Sequence, residues 1–232
     1  MTAHSFVLIA SATQRSLEYL TSLTKAKLLI EEVFILDDYG HLPGQRKSDS
    51  GGRMMLQLRQ MCSDLSINVS IHPSDVNSPS LILALTNSKS KVAVYSGYGG
   101  QIINENVLNA GIKILHIHSG ALPEYRGSTT IYYAILNKEN CGATAIILDR
   151  NIDTGAIVGS KLFPPPDSGA DIDFELDISY RVALLVDVIS YYQQNGFFQI
   201  KMDQSFEKGK VYYIAHPVLR HVAMLRGESC YD

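Results

Sequence analysis

"KVAVYSGYGGQIINENVLNAGIKILHIHSG" runs from Lys91 to Gly120. An apolar run, Val92 to Tyr95, breaks into glycines. A short helical segment from Glu105 closes at Gly111. A second apolar run then ends in His116, His118 and the Ser119-Gly120 turn. Strand, helix and strand in this succession read as a βαβ unit, whose crossover joins two parallel strands.

The same alternation extends in both directions. "SFVLIAS" at 5–11 is a continuous apolar run suited to a strand buried on both faces. "SLEYLTSLTKAKL" repeats its apolar positions at helical spacing, and "EEVFILDD" at 31–38 reads as a strand ending in acids. A polar Gly/Pro loop, "GHLPGQRKSDSGG", leads to the helix "MMLQLRQMCSDL" and the strand "INVSIHP". Ser78-Pro79 is a cap and first-turn pair for the helix after it.

Downstream, "STTIYYAILNKENC" predicts a helix and "GATAIILD" a strand. "GAIVGSKLFPPP" reads as extended until three prolines stop it, and the helix "ELDISYRVALLVDVISYYQQNG" has its stop at Gly196. The tail from Lys201 carries "KVYYIAHPVLRHVAML" and little else. Helices alternating with strands predict a mostly parallel sheet with right-handed crossovers. Ligands of such sheets bind beyond the carboxyl ends of the strands. "SGYGG" and "HSGALPEYRG" both lie there.

The 232 residues, 46% apolar and 19% charged, fit a soluble globular protein. A net charge of −3 and the lack of a dense Lys/Arg stripe set the expectation against a nucleic-acid partner. Cys62, Cys141 and Cys230 have no paired spacing, which disfavours a disulfide framework or zinc ribbon and fits a reducing cytoplasm. The N-terminal apolar run Phe6–Ala10 lacks the basic start and length of a secretory signal, and no run is long enough to span a bilayer.

Side chains alternate along a strand, so His116 and His118 point to the same side. Asp153, in front of Thr154-Gly155, brings a carboxylate on a tight turn. Two imidazoles and a carboxylate can shuttle protons and steady an oxyanion. Taken singly, a strand histidine is more often a core residue, and Asp-Thr-Gly is usually only a turn.

Together, "HIHSGALPEYRGSTTIYYAILN" and "GATAIILDRNIDTGAIV" resemble the signature of the folate-dependent formyltransferases, which act on glycinamide ribonucleotide, methionyl-tRNA or sugar nucleotides. The resemblance is densest from Lys91 to Val158. It implies a Rossmann-like α/β fold, a mostly parallel twisted sheet with helices on both faces. The catalytic domain would occupy residues 1–200, with residues 201–232 a short extension packed on it. The implied activity is formyl transfer from N10-formyltetrahydrofolate, as formyl donor, to a primary amine.

By this resemblance His118 stabilises charge at the formyl oxygen and helps proton transfer, and Asp153 orients it and drains the proton of the attacking amine. Tyr98, Gly100, Gln101, Ile102 and Ile103 line the pterin pocket. Asp149 and Asn151 belong to a loop, 149–153, that closes over the folate ring. Ser119, Leu122, Pro123, Tyr125, Arg126 and Gly127 shape the mouth of the cleft on the substrate side. No protein metal is required. The family's oxyanion asparagine is His116 here, an imidazole that also donates but is larger and titrates.

The expected acceptor is a small-molecule amine, with an amino sugar on a nucleotide favoured by the short tail. Methionyl-tRNA is the poorer expectation, because the chain ends where the tRNA enzymes carry a further basic domain. Specificity is expected in the 39–55 loop, the Ser11–Arg15 turn and the tail. The expected protein is cytoplasmic, binds neither nucleic acid nor membrane, and is a candidate homodimer. The alternatives are a metal-dependent hydrolase using His116, His118 and Asp153, a catalytically inactive folate- or nucleotide-binding relative, and a deformylase, whose usual regulatory domain this chain lacks.

Overall fold

Every residue of the first strand, β1 (Phe6–Ser11), is buried, as a continuous apolar run in a parallel sheet requires. The computed structural model describes residues 4–37, 49–167, 170–204 and 209–227. After β1 the chain enters α1 (Gln14–Lys25), capped by the Thr13 hydroxyl, which accepts from the Ser16 N–H. Its apolar stripe buries Tyr19, Leu20 and Leu23. β2 (Ile30–Asp37), α2 (Asp49–Asp64), β3 (Asn68–Pro73) and α3 (Pro79–Asn87) follow, then β4 (Val92–Ser96), α4 (Glu105–Leu108) and β5 (Lys113–His118).

The remainder is β6 (Tyr125–Gly127), α5 (Thr130–Leu136), β7 (Cys141–Ile147) and β8 (Ile157–Phe163), then a π-helical turn (Ile172–Leu176), α6 (Asp177–Asn195), β9 (Lys210–Tyr212) and α7 (Pro217–Gly227). Hydrogen bonding orders the main sheet β3-β2-β1-β4-β5-β7-β8. The β1–β2, β1–β4, β2–β3 and β4–β5 pairs are parallel, and β8 runs antiparallel to β7. The expected mostly parallel α/β sheet is what the chain forms.

Contacts divide the chain into two compact units, Met1–His116 with Ile189–Phe197, and Ile117–Val188 with Phe198–Asp232. The first contains the parallel strands from β3 to the start of β5 and the helices α1 to α4. The second contains the β7–β8 pair, the small β6–β9 sheet, and a core of Tyr125, Ile131, Tyr132, Ile135, Cys141, Ile172 and Ala223.

Several local expectations need correction. The loop predicted at 40–52 gives way to helix from Asp49, and residues 38–48, with most of the 39–55 specificity loop, lie outside the described residues. The helix predicted at 128–141 is only α5, because Lys138 takes a left-handed φ of 59° and the strand already begins at Cys141. Ser78 occupies the N-cap position of α3 but makes no side-chain cap bond. The tail, predicted to hold little, forms β9 and α7; β9 pairs with β6, and α7 seats Ala223 in the second unit's core. Gly196 does stop α6, at a φ of 80°, with its N–H on the Tyr192 carbonyl.

Among the described residues no helix is long and apolar enough to cross a membrane. The first unit's core is anchored by fully buried residues such as Leu20. Leu20→Ala should cost about 2–5 kcal/mol, the usual penalty for truncating a buried leucine. Urea unfolding followed by circular dichroism checks this, and an unchanged midpoint would place Leu20 outside the cooperative core.

Candidate active site

β5 carries both histidines of the "HIHSG" stretch. His116 belongs to the first unit, half-buried, with its ring 5.9 Å from that of Tyr95 on β4. His118 belongs to the second unit and is 3% exposed. Its Nε2 lies 2.7 Å from the Tyr125 carbonyl oxygen. A carbonyl only accepts, so Nε2 carries the hydrogen and the neutral ring keeps its lone pair on Nδ1. That Nδ1 faces the Asp153 carboxylate at 3.4 Å.

The bond to Tyr125 needs a glycine beside it. A Cβ on Gly120 would fall 2.6 Å from the Tyr125 carbonyl oxygen and 2.7 Å from His118 Nε2. Only a residue without a side chain leaves the imidazole and the carbonyl in contact. The sequence marks Gly120 only as part of the Ser119-Gly120 turn; its place two residues after the histidine was the available signal for this role.

Asp153 sits at a left-handed φ of 53° in the turn after β7. Aspartate tolerates this conformation better than most residues, but it still carries strain. Two things hold it there. Its Oδ2 accepts the Gly127 N–H at 2.8 Å, and the turn before it is closed by Asp149. The Asp149 carboxylate accepts from the Thr154 hydroxyl at 2.7 and 2.9 Å and from the Asn151 N–H at 3.1 Å. Both residues assigned to the folate loop by resemblance, Asp149 and Asn151, are thus joined to each other.

Tyr125 is held as firmly. Its ring stacks on Tyr212 at 5.2 Å, and its hydroxyl donates to Glu139 and accepts from Asn137. Burial, with the carboxylate of Glu139, pushes that hydroxyl up to about 12 in spite of Asn137. Leu122, Pro123 and Arg126 are buried with it, and Ser119 is 8% exposed. The Leu122 N–H donates to Thr144, whose hydroxyl donates to the Gly120 carbonyl. Arg126 donates to Gln204, which in turn donates to the Gly155 carbonyl. Buried Tyr125 and Arg126, with half-buried Gly127, thus form a frame around the His118–Asp153 pair.

In the first unit, the glycine-broken end of β4 is tied to the loop after β3. Gln101 donates to the Ser74 carbonyl at 2.7 Å, Asn77 donates to the Ile102 carbonyl at 2.9 Å, and the Asn104 N–H donates to Asn77. Ile103 is buried, Ile102 is 66% exposed, and Gly100 takes a φ of 83° with open space where a Cβ would be. The Tyr98 hydroxyl accepts from the Ala12 N–H. Backbone groups are therefore held in a fixed loop, with the Gln101 Oε1 buried and lacking a hydrogen-bond partner among the described residues.

Burial pushes the His118 imidazole below its ordinary range; Asp153 opposes this, the Arg181 guanidinium reinforces it, and the Tyr125 carbonyl and Asp177 oppose it. At neutral pH the ring is therefore a neutral base facing a carboxylate. A proton placed between Nδ1 and Oδ2 converts two facing acceptors into a bonded pair, and this lets the pair take up a proton and return it.

A family model described as formyl transferase matches residues 7–164, more than half of the chain, and the chain belongs to that family. The methionyl-tRNA formyltransferase of Solibacter usitatus is 35% identical over 100 residues, which cover 42% of this chain and 32% of that protein. Its counterpart from Synechococcus sp. is 30% identical over 130 residues, 55% of this chain and 40% of that one. The matched stretch thus spans well under half the length of these curated relatives. A solved sugar N-formyltransferase from Shewanella sp. superposes with a TM-score of 0.62 at 18% identity, covering 98% of this chain and 90% of that one. At that identity it shares the fold.

Linkage gives the pair a signature in stability. His118 has a lowered value in the folded state, so below its ordinary range near 6.5 the unfolded chain binds a proton that the folded chain refuses. Its contribution is intact above that range and is lost as pH falls toward the folded value. Wild type should therefore lose stability between about pH 7 and 5 more steeply than His118→Asn, by at most about 1.4 kcal/mol per pH unit for one proton. Parallel stability curves from chemical denaturation at each pH would contradict the assignment.

Proposed function

We propose that the protein transfers a formyl group from N10-formyltetrahydrofolate to the primary amine of a small molecule, and that the acceptor is an amino sugar carried on a nucleotide. The observation that carries this reading is the pairing of buried His118 with half-buried Asp153 in a chain of the formyl transferase family. In the same reading residues 1–200 are the catalytic domain and residues 201–232 its extension.

An amine that attacks the formyl carbon produces a tetrahedral oxyanion and an acidic ammonium. The neutral Nδ1 of His118, backed by the Asp153 carboxylate, takes the ammonium proton. The His118–Asp153 pair returns that proton to the departing folate nitrogen as its bond to the tetrahedral carbon breaks and the new amide forms. Electrostatic help at the oxyanion falls to an N–H of His116, the residue standing where the family has asparagine. The fixed backbone of Gln101–Ile103 supplies donors and acceptors to the pterin, and the buried Gln101 Oε1 is an acceptor suited to a ligand N–H.

Support for the sugar acceptor comes from a relative in fold. The N-formyltransferase of Helicobacter canadensis, 20% identical with a TM-score of 0.58 over 89% of this chain and 70% of that one, was solved with folinic acid and dTDP-3-aminofucose. A second reading, with the amine of methionyl-tRNA as acceptor, is favoured by the names of the curated relatives. The net charge of −3 weighs against so large a polyanion.

Calorimetry with 5-formyltetrahydrofolate should give a saturable heat. Mass spectrometry should then find formylated product with dTDP-amino sugars and none with methionyl-tRNA. His118→Asn and Asp153→Asn should each lower turnover by about 10²–10⁴-fold, the scale of a lost general base. No folate heat at millimolar ligand would remove formyl transfer from consideration, variants as active as wild type would remove His118 and Asp153 from the site, and formylation of methionyl-tRNA alone would replace the acceptor.

A further inference from the structure

The peptide immediately before His118 is gripped from α6. Arg181 donates through Nη1 to the Ile117 carbonyl, and its Nε pairs with both carboxylate oxygens of Asp177, at 2.9 and 3.1 Å. The two side chains are 12% and 20% exposed, so this ion pair is largely withdrawn from water. Screening there is weak, and each charge acts strongly on its neighbours. Neither residue belongs to the "HIHSG" or "DRNIDTG" stretches, and nothing in the formyl-transfer chemistry so far uses them.

We propose that Arg181 and Asp177 are positioning residues for the transfer step: Arg181 clamps the end of β5 that carries His118, and Asp177 holds the guanidinium in the clamp. The inference rests on the formyl-transfer reading for its functional meaning, but its physical content concerns this chain alone. The clamp fixes the Ile117–His118 peptide, from which the imidazole projects to both the Tyr125 carbonyl and Asp153. A guanidinium is suited to the task, since one face of its fork takes a carboxylate while another nitrogen reaches a carbonyl.

The charges then act in opposite directions. Around His118 stand Asp153 from the turn after β7, Arg181 and Asp177 from α6, and the neutral Tyr125 carbonyl; His116 lies two residues back on the same strand. Burial disfavours the imidazolium first, Arg181 disfavours it further, and Asp153 and Asp177 favour it. Without Arg181, a carboxylate on α6 would face the imidazole uncompensated. His118 would then be protonated over more of the working range and unable to accept the amine's proton.

Opposite charge effects separate this role from simple packing. The measurement is the titration of the His118 imidazole by nitrogen–proton NMR between about pH 5 and 8, assigned with His118→Asn, in wild type, Arg181→Gln and Asp177→Asn. The midpoint should move to higher pH in Arg181→Gln and to lower pH in Asp177→Asn. A purely structural bridge predicts otherwise: breaking it from either side admits water and moves both midpoints upward. Shifts in the same direction, or none, would overturn the proposal.

If Arg181→Gln does not fold, Arg181→Lys, which keeps the charge, should leave the midpoint near wild type, and Asp177→Asn still carries the sign. A large upward shift in Arg181→Lys would overturn the proposal as well. The acid limb of the turnover profile should follow the same displacements. If the midpoints move as stated but no amine is formylated, the positioning device stands and the formyl-transfer reading falls.

Discussion

A single buried hydrogen bond, from His118 Nε2 to the Tyr125 carbonyl, organises the second unit. It determines which ring nitrogen carries the hydrogen, and so which one confronts Asp153. Much of the surrounding structure follows from protecting it. Gly120 has no Cβ because there is no room for one. The Tyr125–Gly127 segment is stapled to Lys210–Tyr212 as a two-stranded parallel sheet, and this fixes both the carbonyl and the Gly127 N–H that holds Asp153. An aspartate in left-handed conformation is the cost of bringing a carboxylate to the other side of the ring.

What was legible in the sequence was what period and order encode. Phe6–Ser11, Val92–Ser96 and Lys113–His118 announce themselves as apolar runs, because strands covered on both faces have no polar alternation. Pairing His118 with Asp153 was legible only as order along the chain, through resemblance, since 35 residues separate them. Tyr125–Gly127 and Lys210–Tyr212 were not legible: three-residue strands carry no period, and their pairing joins segments far apart in sequence. Nor was the acceptor on His118, because a backbone carbonyl has no letter.

Other residues carry a structural task that the sequence did not announce. Asp149, expected in the loop over the folate ring, also closes the turn that presents Asp153, its carboxylate accepting from Thr154 and Asn151. Arg181 lies within the helix predicted from Glu175 to Gly196, and only tertiary structure puts its guanidinium on the Ile117 carbonyl. By the resemblance, His116 stands where the family has asparagine. Its ring lies near Tyr95 on the strand parallel to its own, in a half-buried setting.

The central claim is that His118 and Asp153 handle one proton as a unit. A double-mutant cycle on turnover, with His118→Asn, Asp153→Asn and both together, addresses it most directly. The account predicts that the double variant is scarcely slower than the worse single variant, because either substitution already abolishes the shared proton site. Losses that multiply, so that the double variant falls by the product of the two single effects, would show two independent groups and contradict the account.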